Sequence, residues 1–113
     1  MNEPDRGEIW QVNLDPVRGH EQRGMRPALI VSVNIFNHGP AGLVVIAPLT
    51  SKQKGIPLHV QVNPPEGGLT LTSFIKCEDV RSISKDRLIN CLGRVSPSSI
   101  LAVEDRLRIL LGL

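Results

Sequence analysis

Two segments of this chain bring side chains of the right type and spacing for chemistry. Gly19, His20, Glu21, Gln22, Arg23, Gly24, Met25, Arg26 and Pro27 run straight into the apolar stretch from Ala28 to Val31. The two glycines let the backbone bend or approach a ligand closely. Pro27 fixes its own φ and biases Arg26 toward extended backbone, so the guanidinium is presented at the entrance of a strand. A second apolar segment ends in Ala47, Pro48, Leu49, Thr50 and Ser51, which carries two hydroxyls to a strand terminus. Where two such ends are neighbours, a planar fork of N–H donors and a compact hydroxyl converge. That combination suits a phosphate.

The elements that must position these groups are short strands punctuated by turn residues. Glu8 to Leu14 alternates, with Ile9, Gln11 and Asn13 on one side and Glu8, Trp10, Val12 and Leu14 on the other, before Asp15-Pro16 breaks the pattern. Pro27 to Val33 and Leu43 to Leu49 are almost continuously apolar and rich in Val and Ile, as central strands buried on both faces are. Leu58 to Val62 alternates, a Pro- and Gly-rich turn follows from Asn63 to Gly68, and Leu69 to Lys76 and Leu88 to Val95 supply further strands. About five to seven short strands at this spacing predict a small, mainly β barrel. The C-terminus changes period. Ser96 before Pro97 makes a good N-cap, Ile100, Val103, Leu107 and Leu110 recur at helical spacing, Glu104 and Arg108 stand one turn apart, and Gly112 can stop the helix. This amphipathic helix is expected to pack across the barrel, and a short helical turn is expected near Ser84 to Arg87.

With 113 residues, 41% of them apolar, and neither repeats nor low-complexity tracts, the chain is expected to form one domain over residues 1–113. Its first residues lack the layout of a signal peptide, and no apolar run approaches the roughly 20 residues that span a bilayer. A cytoplasmic protein is the expectation. Cys77 and Cys91 stand among aliphatic residues and read as reduced, buried, small hydrophobes. The net charge of +2 says little by itself. Its distribution says more: Arg18, Arg23 and Arg26 crowd one loop, Lys52 and Lys54 follow Thr50, and Lys76, Arg81, Lys85, Arg87 and Arg94 cluster later. If these regions share a face, they make a basic groove. Trp10, Phe36 and Phe74 are the whole aromatic supply, so base stacking is limited and backbone and base-edge contacts must carry recognition. His38 and His59 read as solvent-side or hairpin residues with no assigned role.

Several separated signatures resemble the MazF/PemK family of toxin endoribonucleases: Gly7-Glu8-Ile9-Trp10, Leu14-Asp15-Pro16, the Gly19 to Pro27 segment with its Glu21-Gln22 pair, Pro48-Leu49-Thr50-Ser51, and Val80-Arg81-Ser82-Ile83-Ser84-Lys85-Asp86-Arg87-Leu88. They stand in the family's order over nearly the whole chain. The resemblance implies an SH3-like, CcdB/PemK-type barrel acting as a homodimer, metal-independent cleavage of single-stranded RNA at short sequences, and neutralisation by a cognate antitoxin. It implies contact with DNA only through a toxin–antitoxin repressor complex. By the same resemblance Arg26 and Thr50 correspond to the catalytic pair, Glu21 and Gln22 belong to the loop that meets substrate, and Ser51 and Arg81 lie within matching motifs. Asp79 departs from the Gln of many relatives, and Asn37-His38-Gly39 matches no family motif; both bear on which sequence is cut more than on the chemistry.

RNA carries its own nucleophile. In-line attack by the 2′-OH needs removal of its proton, delivery of a proton to the leaving 5′-oxygen, and stabilisation of charge on the phosphoryl oxygens. No metal or other cofactor is required, and the chain has neither an H-E-x-x-H motif nor Cys/His ligand spacing; the adjacent Glu78 and Asp79 are expected to point apart. Arg26 and Thr50 are the expected phosphate donors, and Glu21 or His20 the acceptor of the 2′-OH proton, since arginine does not surrender its own. His20, Gln22, Arg23, Ser51, Lys52, Lys76 and Arg81 are the expected substrate contacts. The competing readings are a CcdB-like inhibitor of DNA gyrase and a noncatalytic RNA-binding barrel.

Overall fold

A computed structural model of the chain describes residues 3–15 and 24–113. Among these residues the strands are β1 (Glu8–Asn13), β2 (Met25–Ile30), β3 (Leu43–Thr50), β4 (His59–Val62), β5 (Ser73–Lys76), β6 (Arg81–Ser84) and β7 (Leu88–Arg94). All pair antiparallel, in the order β4-β5-β3-β2-β1-β7, with β6 also on β3. The long β3 serves both branches: its first half pairs with β6 and its last two residues, Leu49 and Thr50, pair with Ile75 and Phe74 of β5. The result is the mainly β barrel the spacing predicts.

The double-sided burial expected for the central strands is present. Ile9, Leu29, Ala47, Leu49 and Ile75 belong to one apolar cluster, while Trp10, Val12, Ala28, Ile30, Val44 and Ile46 belong to another. Alternate residues of β1, β2 and β3 therefore feed opposite faces, as a period of two demands. Helix α2 (Pro97–Leu111) sets Val103 into the first cluster, with Ile100 and Leu107 packed beside it. The Ser96 hydroxyl accepts from the Ser99 N–H at 3.3 Å, Pro97 opens the helix, and Gly112 closes it in the left-handed region at φ 71°. Glu104 faces Arg108 at 4.0 Å but lies closer to Arg6, at 2.7 Å.

A second cap comes from outside the helix. Glu66 Oε2 accepts from the Ser99 hydroxyl at 2.6 Å and from the Ser96 N–H at 2.9 Å, in the place where a helix N-terminus favours an anion. The Ser99 bond first and the Ser96 N–H second hold its carboxyl below the usual 4.5. A carboxyl depressed on folding adds stability that is complete above its unfolded pKa and is lost as pH falls through the folded value. Glu66→Ala is therefore expected to unfold at lower urea than wild type near neutrality, with the gap narrowing below 4.5. A gap unchanged into acid would assign the loss to packing instead of charge.

Four expectations are corrected. The strand expected from Leu69 starts only at Ser73, because Glu66–Gly68 forms a tight 3₁₀ turn and Leu69 leaves it to cover the core. The segment after β2 contains a short helix, α1 (Asn34–Asn37), and Asn37 is fully buried, its amide donating to Ser32 O at 2.8 Å. Of the two settings expected for His59, the solvent side is overturned: it lies in the antiparallel β4–β5 pair, its side chain is 4% exposed and its Nε2 lies 2.8 Å from Glu78 Oε2. Cys91 is exposed, because among the described residues β7 pairs with β1 alone and Ile89, Asn90 and Cys91 all lie open. Cys77 is buried as expected, and burial first and the Glu78 charge second push its thiol up to about 11. In the native protein Cys77 should resist a thiol-alkylating reagent and react once denaturant is added; native labelling would show that this part of the core opens.

Candidate phosphate-binding site

Strand register explains why Arg26 and Thr50 come together. In β2 and β3 the partners are Ile30 with Ile46, Leu29 with Ala47 and Ala28 with Pro48; Arg26 and Thr50 lie two residues beyond the last paired ones on each strand and line the same pocket. Arg26 is also the β1 partner of Val12, so its backbone is held from the other side too. Pro27 follows it with no N–H to give, which ends the β2–β3 ladder at the point where the side chains must serve a ligand instead.

Arg26, Thr50 and Ser51 line one pocket of about 360 Å³. Thr50 is buried and Arg26 half-buried. The Thr50 hydroxyl oxygen accepts from the Lys52 N–H at 3.2 Å, so the residue also caps its turn. An oxygen that accepts there still has its own proton to give. The opposite wall is the segment from Gly68 to Leu71, with Ser73 beneath it, whose hydroxyl donates to Leu71 O at 3.0 Å. Gln11 and Leu92 complete the lining from β1 and β7. The pocket is thus apolar for the most part, with a guanidinium and several hydroxyls in its lining, an arrangement able to hold an anionic group beside a flat apolar one.

Of the other expected site residues, His20, Glu21, Gln22 and Arg23 lie outside the described residues. Lys52 is exposed on the turn beyond Thr50 and is not part of the pocket lining. Neither are Lys76 and Arg81: the Lys76 ammonium lies 3.9 Å and the Arg81 guanidinium 3.8 Å from Asp79 Oδ2, and the three side chains are largely buried. The expected basic groove is reduced accordingly. Lys85 donates to Asn37 O and meets Glu3, Arg87 donates to the carbonyls of Asn13 and Asp15, and Arg94 faces Asp5 and Glu8. These cations brace loops and termini. Glu78 and Asp79 do diverge, though from a 3₁₀ turn instead of a strand, one toward His59 and the other toward Lys76 and Arg81.

Gln11, Leu71, Thr70 and Ser73 were not among the expected site residues. Gln11 alone carried a signal: it is a polar residue on the Ile9 side of a strand whose neighbours Ile9, Trp10 and Val12 are buried. The Gly68–Leu71 wall carried none, because its position depends on packing against β7, distant in sequence.

The chain is similar to proteins of known kind. Residues 5–111 match the family of PemK-like, MazF-like toxins of type II toxin–antitoxin systems. Among curated relatives, the endoribonuclease MazF9 of Mycobacterium tuberculosis is 36% identical over 113 residues, covering 96% of both chains. The endoribonuclease EndoA of Bacillus subtilis is 32% identical over 109 residues, covering 96% of this chain and 94% of the relative. The crystal structure of MazF from Deinococcus radiodurans superposes with a TM-score of 0.90 at 31% identity over the full length of both chains. An endoribonuclease from a mycobacterial species, solved in complex with its cognate antitoxin, superposes at 0.81 with 30% identity, covering 97% of this chain and 96% of the other. With its motifs in family order and its barrel superposing end to end on such structures, the chain belongs to the PemK-like, MazF-like toxins of type II toxin–antitoxin systems.

Proposed function

We propose that this toxin is a sequence-specific endoribonuclease that cuts single-stranded RNA without a metal ion, acts in the cytoplasm as a homodimer of single-domain chains, and is neutralised by a cognate antitoxin. The observation that carries the reading is the common pocket of Arg26, Thr50 and Ser51 in a chain of this family. Curated relatives named as endoribonucleases, and the antitoxin bound to the mycobacterial relative, support its substrate and partner.

The roles follow from the chemistry of each group. The Arg26 guanidinium offers parallel N–H donors to two phosphoryl oxygens and stays charged throughout, so it stabilises the developing dianion and takes no proton. Thr50, its oxygen engaged by Lys52 N–H, directs its O–H to the same phosphate. The ribose 2′-OH attacks the adjacent phosphorus, its proton leaving to Glu21 or His20, and the P–O5′ bond breaks as the 5′-oxygen gains a proton. The products are a 2′,3′-cyclic phosphate and a 5′-OH end. An acidic antitoxin segment that folds over the pocket would exclude RNA by occupying the Arg26 donors.

The test is incubation of purified protein with mixed-sequence single-stranded RNA in EDTA, followed by mapping of new 5′ ends. Cuts at one short sequence with 5′-OH termini are expected, with the all-deoxy analogue left intact for want of the 2′-OH. Intact RNA after incubation with folded, antitoxin-free protein would overturn the reading.

A further inference from the structure

The Arg26 pocket is larger than a phosphate requires. Beside the Arg26 guanidinium and the hydroxyls of Thr50 and Ser51, its roughly 360 Å³ are lined by Leu69, Leu71 and Leu92, with Gln11, Thr70 and Ser73 among them. Resting on the endoribonuclease reading, we propose that the leucine-lined part of this pocket is a nucleobase subsite in which Gln11 selects the base of a nucleotide flanking the cleaved bond.

The placement of Gln11 is what points there. On β1, Ile9 is fully buried in the core, and Gln11 is the next residue on that side, half-buried where the core cluster opens into the pocket. An aliphatic side chain at that position would extend the core face. Instead the strand carries a carboxamide with two donor hydrogens and an acceptor oxygen, and that amide hydrogen-bonds to no described residue. Its neighbour across the ladder is Pro27, immediately after Arg26, and its neighbour on the other side is Asn90 of β7. The backbone that carries the amide is therefore held from both strands, across the ladder from the residue next to the phosphate-binding Arg26.

The chemistry matches a base more closely than any other part of RNA. Leucine side chains accept the flat faces of a purine or pyrimidine, while an adjacent donor and acceptor on one amide pair with an adjacent acceptor and donor on a base edge. Among the described residues no aromatic side chain lines the pocket, so the leucines offer contact without stacking and the hydrogen-bonded edge carries the choice. A phosphate gripped by Arg26 and Thr50 fixes the distance at which the neighbouring base presents that edge.

The experiment compares kcat/KM on oligoribonucleotides that differ only in the nucleotide on each side of the cut, for wild type, Gln11→Ala and Gln11→Glu. In Gln11→Ala the discrimination between best and worst base at one flanking position is expected to fall about tenfold or more, as loss of a bidentate base contact does. Gln11→Glu keeps the shape but only accepts, so its preference should move toward guanine, whose N1–H and N2–H₂ are adjacent donors. Because the Glu variant is nearly isosteric, it keeps the test readable if the Ala variant disturbs β1. Base preferences in both variants identical to an active wild type would overturn the subsite and leave the endoribonuclease reading standing. A wild type that cuts no RNA would overturn both.

Discussion

Arg26→Ala should cut RNA about a hundredfold to a thousandfold more slowly than wild type, the usual cost of removing one preorganised donor from a developing anion. The magnitude follows from position. Arg26 lies in β2, its backbone is held by β1 through Val12, and it lines the same pocket as Thr50, so the strand sets where its guanidinium meets substrate. The same anchoring predicts an intact fold: the strand is fixed by Ala28, Leu29 and Ile30, all fully buried, while Arg26 itself is only half-buried at the end. Arg26→Lys distinguishes geometry from charge. It keeps the cation but loses the planar fork, and should recover little of the lost rate. Single-turnover cleavage of one oligonucleotide by the three proteins, alongside their thermal unfolding, settles the matter. Activity in Arg26→Lys close to wild type would mean that positive potential alone suffices, and full activity in Arg26→Ala would remove Arg26 from the reaction.

What the sequence made legible was whatever rests on local pattern. β1, β2 and β3 announce themselves because alternate residues feed two apolar clusters, and α2 because Ser96, Pro97 and Gly112 mark its ends. That Arg26 and Thr50 could be neighbours was legible for a related reason: each stands at a strand end, where a polar side chain beside an apolar run is conspicuous. Partnerships between distant residues were not legible. Lys76 and Arg81 look like surface cations in sequence, yet both turn toward Asp79, and His59 is covered and paired with Glu78. Cys91 shares its aliphatic surroundings with Cys77 but lies on an edge strand, and nothing local reveals which strand will be the edge. The Gly68–Leu71 wall illustrates the same limit, since its place is set by a backbone contact across the barrel.

That contact should make Gly68→Ala and Gly93→Ala the most damaging single-methyl additions to the fold. The chain after β4 lays Gly67 and Gly68 directly on β7. A Cβ on Gly68 would lie 1.9 Å from the Leu92 carbonyl oxygen, and one on Gly93 would lie 2.7 Å from both Gly67 C and Gly68 N. All the obstructing atoms are backbone, so no rotamer change relieves the clash; β7 and the turn must separate. Gly68 also has φ +71°, which a side chain resists independently. Separation would uncover Ile9, Leu69 and Val95 beneath the turn and pull Gly68 to Leu71 off the pocket, so stability and activity should fall together. A loss of about 3 kcal/mol or more, at the large end for point substitutions, is expected in urea denaturation. Gly42→Ala is the control. Its φ is +72° but nothing lies within 4 Å of its Cβ, so it isolates the backbone term, about 1–2 kcal/mol. Equal losses at positions 42 and 68 would mean that the close approach to β7 adds nothing and that conformational strain alone explains why glycine stands there.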